Sequence, residues 1–180
     1  MSNPVPTVDR VEELRLSHEA DGQIGALVAL CYRTDFEGRS FYQNRHHCRF
    51  MVRSGAQLIG HLAVCYRAVR LGDEPVDVIG IGEVAVHPDF RRQGICAAML
   101  DAAIDDASHC IAEFALLFGE ASIYSGAGFV SAQNSVTTTE MRGAQTLRVE
   151  TKVSPHLMVR PLTDRAWDFE APLDLAGFSF

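Results

Sequence analysis

The segment Val86–Ile104, VHPDFRRQGICAAMLDAAI, sets two arginines, a glutamine and a glycine where a strand-like run gives way to a helix-like one. A helix start already carries positive partial charge and unpaired N–H groups. Arg91 and Arg92 are unfavourable there for the helix alone, and make sense if an anion sits on the turn. Gly94 has no Cβ, so an anion can approach the main chain closely. Successive N–H groups from Arg92 to Ala97, including those of Gln93, Ile95 and Cys96, can then point at it, and the helix dipole adds to the field. Either arginine can add charge-assisted bonds. The plain alternative is a basic surface turn with no ligand.

Such a turn needs a strand before it and a helix after it, and the flanking sequence offers both. Cys48–Arg53, Leu58–Leu71 and Val76–Val86 are three β-rich runs joined by SGAQ and LGDEP, which predicts an antiparallel meander. Arg92–Ala107 follows with an apolar stripe at Ile95, Met99, Ala102 and Ala103. Glu113–Phe118 is almost wholly apolar, as a strand buried on both faces would be, and the strand–helix–strand order makes it parallel to Val76–Val86. A short helix is predicted over Glu120–Gly126, and strands over Thr137–Glu140, Thr146–Val149 and Leu157–Leu162. Met1–Arg10 reads as loose, Val11 begins a short strand, and Asp21 is the predicted cap of a helix over 22–31. The tail AWDFEAPLDLAGFSF is apolar-rich but irregular.

Composition narrows the function. The 180 residues are 47% hydrophobic and fit one domain, 1–180. The net charge of −7 disfavours nucleic acid and suits a cationic small molecule. Five widely spaced cysteines with no C-x-x-C argue against a disulfide framework or a zinc site, and most are expected to be reduced, buried thiols. His46-His47 has no second ligand cluster at metal spacing, so no metal is expected. The N-terminal residues lack a signal-peptide pattern and no apolar run approaches the ~20 residues of a membrane span, so a cytoplasmic protein without membrane association is expected.

VAVHPDFRRQGICAAML resembles the acyl-CoA-binding motif of the GCN5-related N-acetyltransferases, Arg/Gln-x-x-Gly-x-Gly/Ala at a strand-to-helix turn. Here it runs Arg91-Arg92-Gln93-Gly94-Ile95-Cys96, with Ala97 next, and is preceded by the similar Val84, Val86, His87 and Pro88. ALLFGEASIYSGAGF resembles the same family's later motif, with Tyr124, Gly128 and Phe129 as its Tyr-x-x-x-Gly-Phe. The resemblance implies an α+β fold. Its mixed, mostly antiparallel sheet would have about six or seven strands, with helices on both faces and a central parallel pair splayed around acetyl-CoA. It implies that the main chain of Glu83, Val84, Ala85 and Val86 binds the pantetheine arm and steadies an oxyanion. Tyr124 becomes the general acid for the leaving thiolate, and Glu83 the first choice for the base that deprotonates the amine. Glu120 is a possible second base, and His87 a weaker one. Cys96, beside two arginines at a helix start, offers the alternative of an acyl-cysteine.

The acceptor is less defined. The stretch from TDFEGRSF through the long hairpin is similar to the aminoglycoside 2'-N-acetyltransferases and, more loosely, to the rhizobial nodulation N-acyltransferases, and the tail with Trp167 also fits. That resemblance implies that Asp35, Asp174 and the carboxylate of Phe180 hold acceptor ammonium groups. The strand glutamate of those enzymes falls one place earlier, at Gly82, so Glu83 faces the other side of the strand unless a bulge intervenes. The reading is an acetyl-CoA-dependent transferase for a primary amine of a small molecule, with an aminoglycoside-like amino sugar as the candidate acceptor. A protein or peptide acceptor, a long-chain acyl donor and a non-catalytic acyl-CoA-binding protein stand beside it. A homodimer is possible.

Overall fold

The computed structural model describes residues 6–180. Residues 1–5, half of the stretch read as loose, lie outside them. The chain runs β1 (Val8–Glu12), α1 (His18–Cys31), β2 (Cys48–Ser54), β3 (Gln57–Leu71), β4 (Glu74–Val86), α2 (Ile95–Ala107) and β5 (Phe114–Phe118). There follow α3 (Ala121–Tyr124), β6 (Val130–Ser131), β7 (Ser135–Arg142), β8 (Gln145–Val153), β9 (Leu157–Pro161) and β10 (Leu173–Asp174). All ten strands share one sheet, ordered β6-β9-β5-β4-β3-β10-β7-β8, with β2 also on β3 and β1 on β2. The expected six or seven strands are exceeded because short pieces of the tail and of the segment after α3 also pair.

The predicted meander β2–β3–β4 is antiparallel, and β5 lies parallel to β4, as the strand–helix–strand order requires. One face of the central strands carries Ile79, Ile81, Ala115 and Leu117, and these pack against Ile95, Met99 and Ala103 of α2. The opposite face is divided. Ile24, Leu27 and Val28 of α1 cover Met51, Leu58 and Ala85 at one end. Trp167, Leu173 and Leu175 of the tail cover Val76, Val78 and Phe114 at the other. Helices thus lie on both faces, and the end of the tail, Phe180, lies over Gly80 and Gly82 beside α1's end of the sheet.

Several boundaries differ from expectation. α1 begins at His18, capped by Ser17 Oγ, which accepts from Ala20 N at 3.1 Å; Asp21 sits within the first turn, where its charge suits the dipole. α2 begins at Ile95, not Arg92, because Arg92 (φ 61°) and Gly94 (φ 79°) both take left-handed backbone. The helix after β5 is one turn to Tyr124 and a 3₁₀ turn, ended by Gly128 at φ 81°. The irregular-looking tail contributes β10, antiparallel to β3 and parallel to β7. All five cysteines are free, and only Cys48 and Cys65 are buried.

Candidate active site

β4 and β5 pair from Val78↔Phe114 to Ile81↔Leu117 and then part company. β4 continues to Val86 with its β3 edge paired and its other edge open. On that open edge Tyr32 Oη donates to Val84 O at 2.9 Å, and Cys31 Sγ and Arg91 Nε reach Val86 O at 3.3 Å. Strand geometry turns the N–H groups of Val84 and Val86 to the same edge.

The register between β3 and β4 slips between His61↔Ala85 and Ala63↔Gly82, so β4 bulges. Glu83 is the bulged residue, with φ +51°, a backbone that costs a non-glycine residue ~1–2 kcal/mol. The bulge turns Glu83 onto the face of Gly82, beside the end of the tail. A side chain at position 82 could not take that place. A Cβ there would lie 2.6 Å from the main-chain carbon of Phe180, and one at Gly80 would enter the Phe180 ring.

A buried network holds the bulge. Glu83 Oε1 accepts from Tyr42 N at 2.8 Å, and Oε2 accepts from Arg49 Nη1 at 3.1 Å. Arg49 is fully buried and also donates to both carboxylate oxygens of Glu13, at 2.7 and 3.1 Å, and to Ser40 O. Arg49 can only donate, so His61 Nε2 (3.2 Å) accepts from it and His61 Nδ1–H donates to Glu83 O at 2.9 Å. Burial and the Arg49 cation depress the His61 pKa to about 3, so this imidazole is neutral. His46 Nε2 lies 3.1 Å from Glu83 Oε2, close enough for an ion pair though poorly angled for a hydrogen bond, and Nδ1 lies 3.2 Å from Cys65 Sγ. Burial opposes the His46 imidazolium, yet Cys65 and Glu83 carry its pKa up to about 9. Burial would raise the Glu83 carboxyl, but His46, Arg49 and the Tyr42 N–H hold it below the ordinary carboxylate range.

Two cavities meet at the splay. A cleft of about 990 Å³ on the α2 side is lined by Val84, Ala85, Val86, Arg91, Arg92, Gly94, Ile95, Cys96 and Ala97. Every residue expected at an acyl-CoA site lines it except Gln93, whose side chain turns back to Asp89 O, and Glu83. Nothing stands within 4 Å of where a Gly94 Cβ would be, so the turn presents bare main chain. A smaller cavity of about 170 Å³ opens on the other face over Gly82 and Glu83, between the 32–46 segment and Phe178–Phe180. Tyr32, Val84, Phe118 and Tyr124 line both. Burial, with Cys96 nearby, pushes the Tyr124 phenol up to about 12.

Other expectations fare differently. Phe180 lines the small cavity, but Asp35 and Asp174 do not. Asp35 Oδ1 accepts from Glu37 N, and Asp174 Oδ1 accepts from Ala176 N, each closing its own exposed turn. Glu120 lines the larger cleft, where it is exposed and lies 3.5 Å from His156. Burial raises the Cys96 pKa, which removes the thiolate that an acyl-cysteine needs. Arg49, His46, His61 and Tyr42 were not found by sequence reasoning as site residues. An arginine in an alternating strand looks solvated, and only the pairing of β2 with β3 shows that it points inward.

A family model described as an acetyltransferase (GNAT) domain matches residues 21–132. No curated protein sequence matches the chain significantly. Among solved structures, the Escherichia coli GNAT family N-acetyltransferase YhbS in complex with CoA is 17% identical, with a TM-score of 0.65 over 97% of this chain and 92% of that one. A Brucella melitensis GNAT family acetyltransferase in complex with acetyl-CoA is 14% identical, with a TM-score of 0.58 over 93% of this chain and 94% of that one. The E. coli ribosomal-protein-S18-alanine N-acetyltransferase is 15% identical, with a TM-score of 0.57 over 89% and 97%. Four further matched structures are longer, and the chain spans about a third of each. At these identities the likeness is one of fold. Among the described residues no helix is long and apolar enough to cross a membrane.

Proposed function

Because the chain belongs to the GNAT acetyltransferase family, we propose that it is an acetyl-CoA-dependent N-acetyltransferase acting on a primary amine of a small molecule. The observation that carries this reading is the meeting of two cavities at Tyr124, on the open edge of β4. The larger suits the cofactor. Its volume of about 990 Å³ is ample for a large ligand, and the bare main chain at Gly94 can receive a diphosphate. Arg91 and Arg92 would add charge to that contact, and the open edge at Val84 and Val86 would take the pantetheine arm as an added strand. Two neighbours of the same fold crystallised with CoA and acetyl-CoA support the assignment.

Bound acetyl-CoA supplies an acyl group activated as a thioester, so transfer forms a C–N bond, breaks the C–S bond and leaves a thiol. Tyr124, with its pKa up to about 12, keeps its proton at neutral pH and can give it to the departing sulfur. Glu83 stays ionised, paired with Arg49 and His46, and stands at the edge of the smaller cavity where the amine would lie. A carboxylate held this acidic is a poor proton acceptor from an ammonium of pKa ~10. Glu83 therefore fixes the β4 bulge beside the amine's place, and the excess proton leaves to water. The S18-alanine enzyme shares the fold at 15% identity, which carries no substrate to this chain.

The test is release of CoA from acetyl-CoA in the presence of candidate amines, with the acetylated product identified by mass. The rate should climb with pH toward the acceptor's own pKa, without a plateau set by an enzyme carboxylate. Absence of CoA release with every amine would sink the reading.

A further inference from the structure

Resting on the transferase reading above, we propose that the acceptor is a compact primary amine with one aromatic or similarly flat apolar body, not a polycationic sugar or a peptide. Size comes first. At about 170 Å³ this cavity is a small fraction of the cofactor cleft of about 990 Å³, which favours a compact acceptor over linked sugar rings. Lining comes second. Seven of the chain's fifteen aromatic residues face this one cavity. Among the lining side chains Glu83 is the one carboxylate, and it is already paired with Arg49 and His46. Each added ammonium of a polycation would have to be desolvated among these rings, which a single amine on a flat apolar body avoids.

The walls are built in advance. Phe36 packs against Tyr32 and Tyr42 with ring centroids 5.5 and 5.6 Å away, in tilted geometry. Opposite them, the Arg67 guanidinium lies over the rings of Phe178 and Phe180, at 4.4 and 4.7 Å, and donates to Phe178 O at 2.7 Å. Arg67, which does not line the cavity, thereby fixes Phe178 and Phe180 in place.

A strap closes the site against a peptide. Gln43 Nε2 donates to Ser179 Oγ at 2.9 Å, joining the 32–46 segment to the tail. The turn after β7 fixes the same segment through Gly143 N to Tyr42 O and Ala144 N to Gln43 O. An extended chain needs an open groove with main-chain partners, and the strap denies it one. Acylation of the proposed amine forms the C–N bond and expels the thiol as described, with the amine proton passing to water.

The experiment compares kcat/KM for 2-phenylethylamine, ethylamine, spermidine, kanamycin and an unblocked tripeptide, with acetyl-CoA binding followed by calorimetry. Phenylethylamine should exceed ethylamine by about tenfold or more, and Phe36→Ala should erase about tenfold of that ratio. Because the ratio is internal to each variant, partial unfolding cancels, and Phe36→Leu provides a milder second case. A preference for kanamycin, spermidine or the tripeptide overturns the proposal, as does a phenylethylamine margin that survives both variants. Acetylation of amines with no aryl margin removes the substrate class and spares the transferase. Binding of acetyl-CoA without acetylation of any amine removes both.

Discussion

Tyr124 and His61 show how burial fixes a proton in opposite senses. The phenol, up to about 12, holds its proton through the whole range in which an amine is deprotonated. Tyr124→Phe should therefore lower kcat by ~10²-fold or more while calorimetric acetyl-CoA affinity stays near its original value. His61, depressed to about 3, stays neutral in the fold but takes up a proton near 6.5 when unfolded. The unfolded state then binds more protons, so the His61 contribution is full above 6.5 and falls as pH drops toward 3, whereas that of His46, raised to about 9, is full below 6.5 and lost as pH rises through 9. Between about pH 6.5 and 5, urea unfolding should show a loss approaching ~1.4 kcal/mol per pH unit from His61 alone. His61→Gln should flatten that slope while lowering stability at pH 7. Glu13 and Glu83 push the same way only at lower pH, since their folded pKa values lie below the ordinary carboxylate range.

At the scale of elements, two glycines govern two sites. Gly94 caps α2 at φ 79° with open space before it. Gly94→Asp adds backbone strain and a negative charge where a diphosphate is assigned, and should weaken CoA binding by tenfold or more in a titration. Gly82 admits the Phe180 main chain, and Gly82→Ala should push the tail off β4 and raise KM for the acceptor more than for acetyl-CoA. The turn at 91–97, the meander and the parallel β4–β5 pair were legible because each rests on local chemistry: a glycine after cations, tight turns, an apolar run. The Glu83 bulge was legible only as a conflict between Gly82 and Glu83, since register depends on which residues of β3 stand opposite. Arg49 and His61 were not legible at all, because burial of a polar side chain is decided by partners distant in sequence, here Glu13 and Glu83. Asp35 and Asp174 misled because exposed acidic turns look alike whether or not they face a cavity.

In the whole molecule, the tail does what no single helix does. Leu173 and Leu175 are fully buried in the cluster with Val78, Phe114 and Trp167, and the same segment supplies a wall of the acceptor cavity. Stability and substrate binding are coupled through it. Leu175→Ala should cost ~2–5 kcal/mol by chemical denaturation, and the difference from wild type should grow when a tight acceptor analogue is present, because the loosened tail binds it less well.

The two-residue strand β10 also decides when the chain can finish folding. It lies between β3 and β7, so it is the sheet's bridge to the β7–β8 hairpin. During synthesis the hairpin leaves the ribosome before its bridge exists, so the β7 edge that β10 pairs waits unpaired. Only when residue 174 has emerged can the meander, made some hundred residues earlier, receive it.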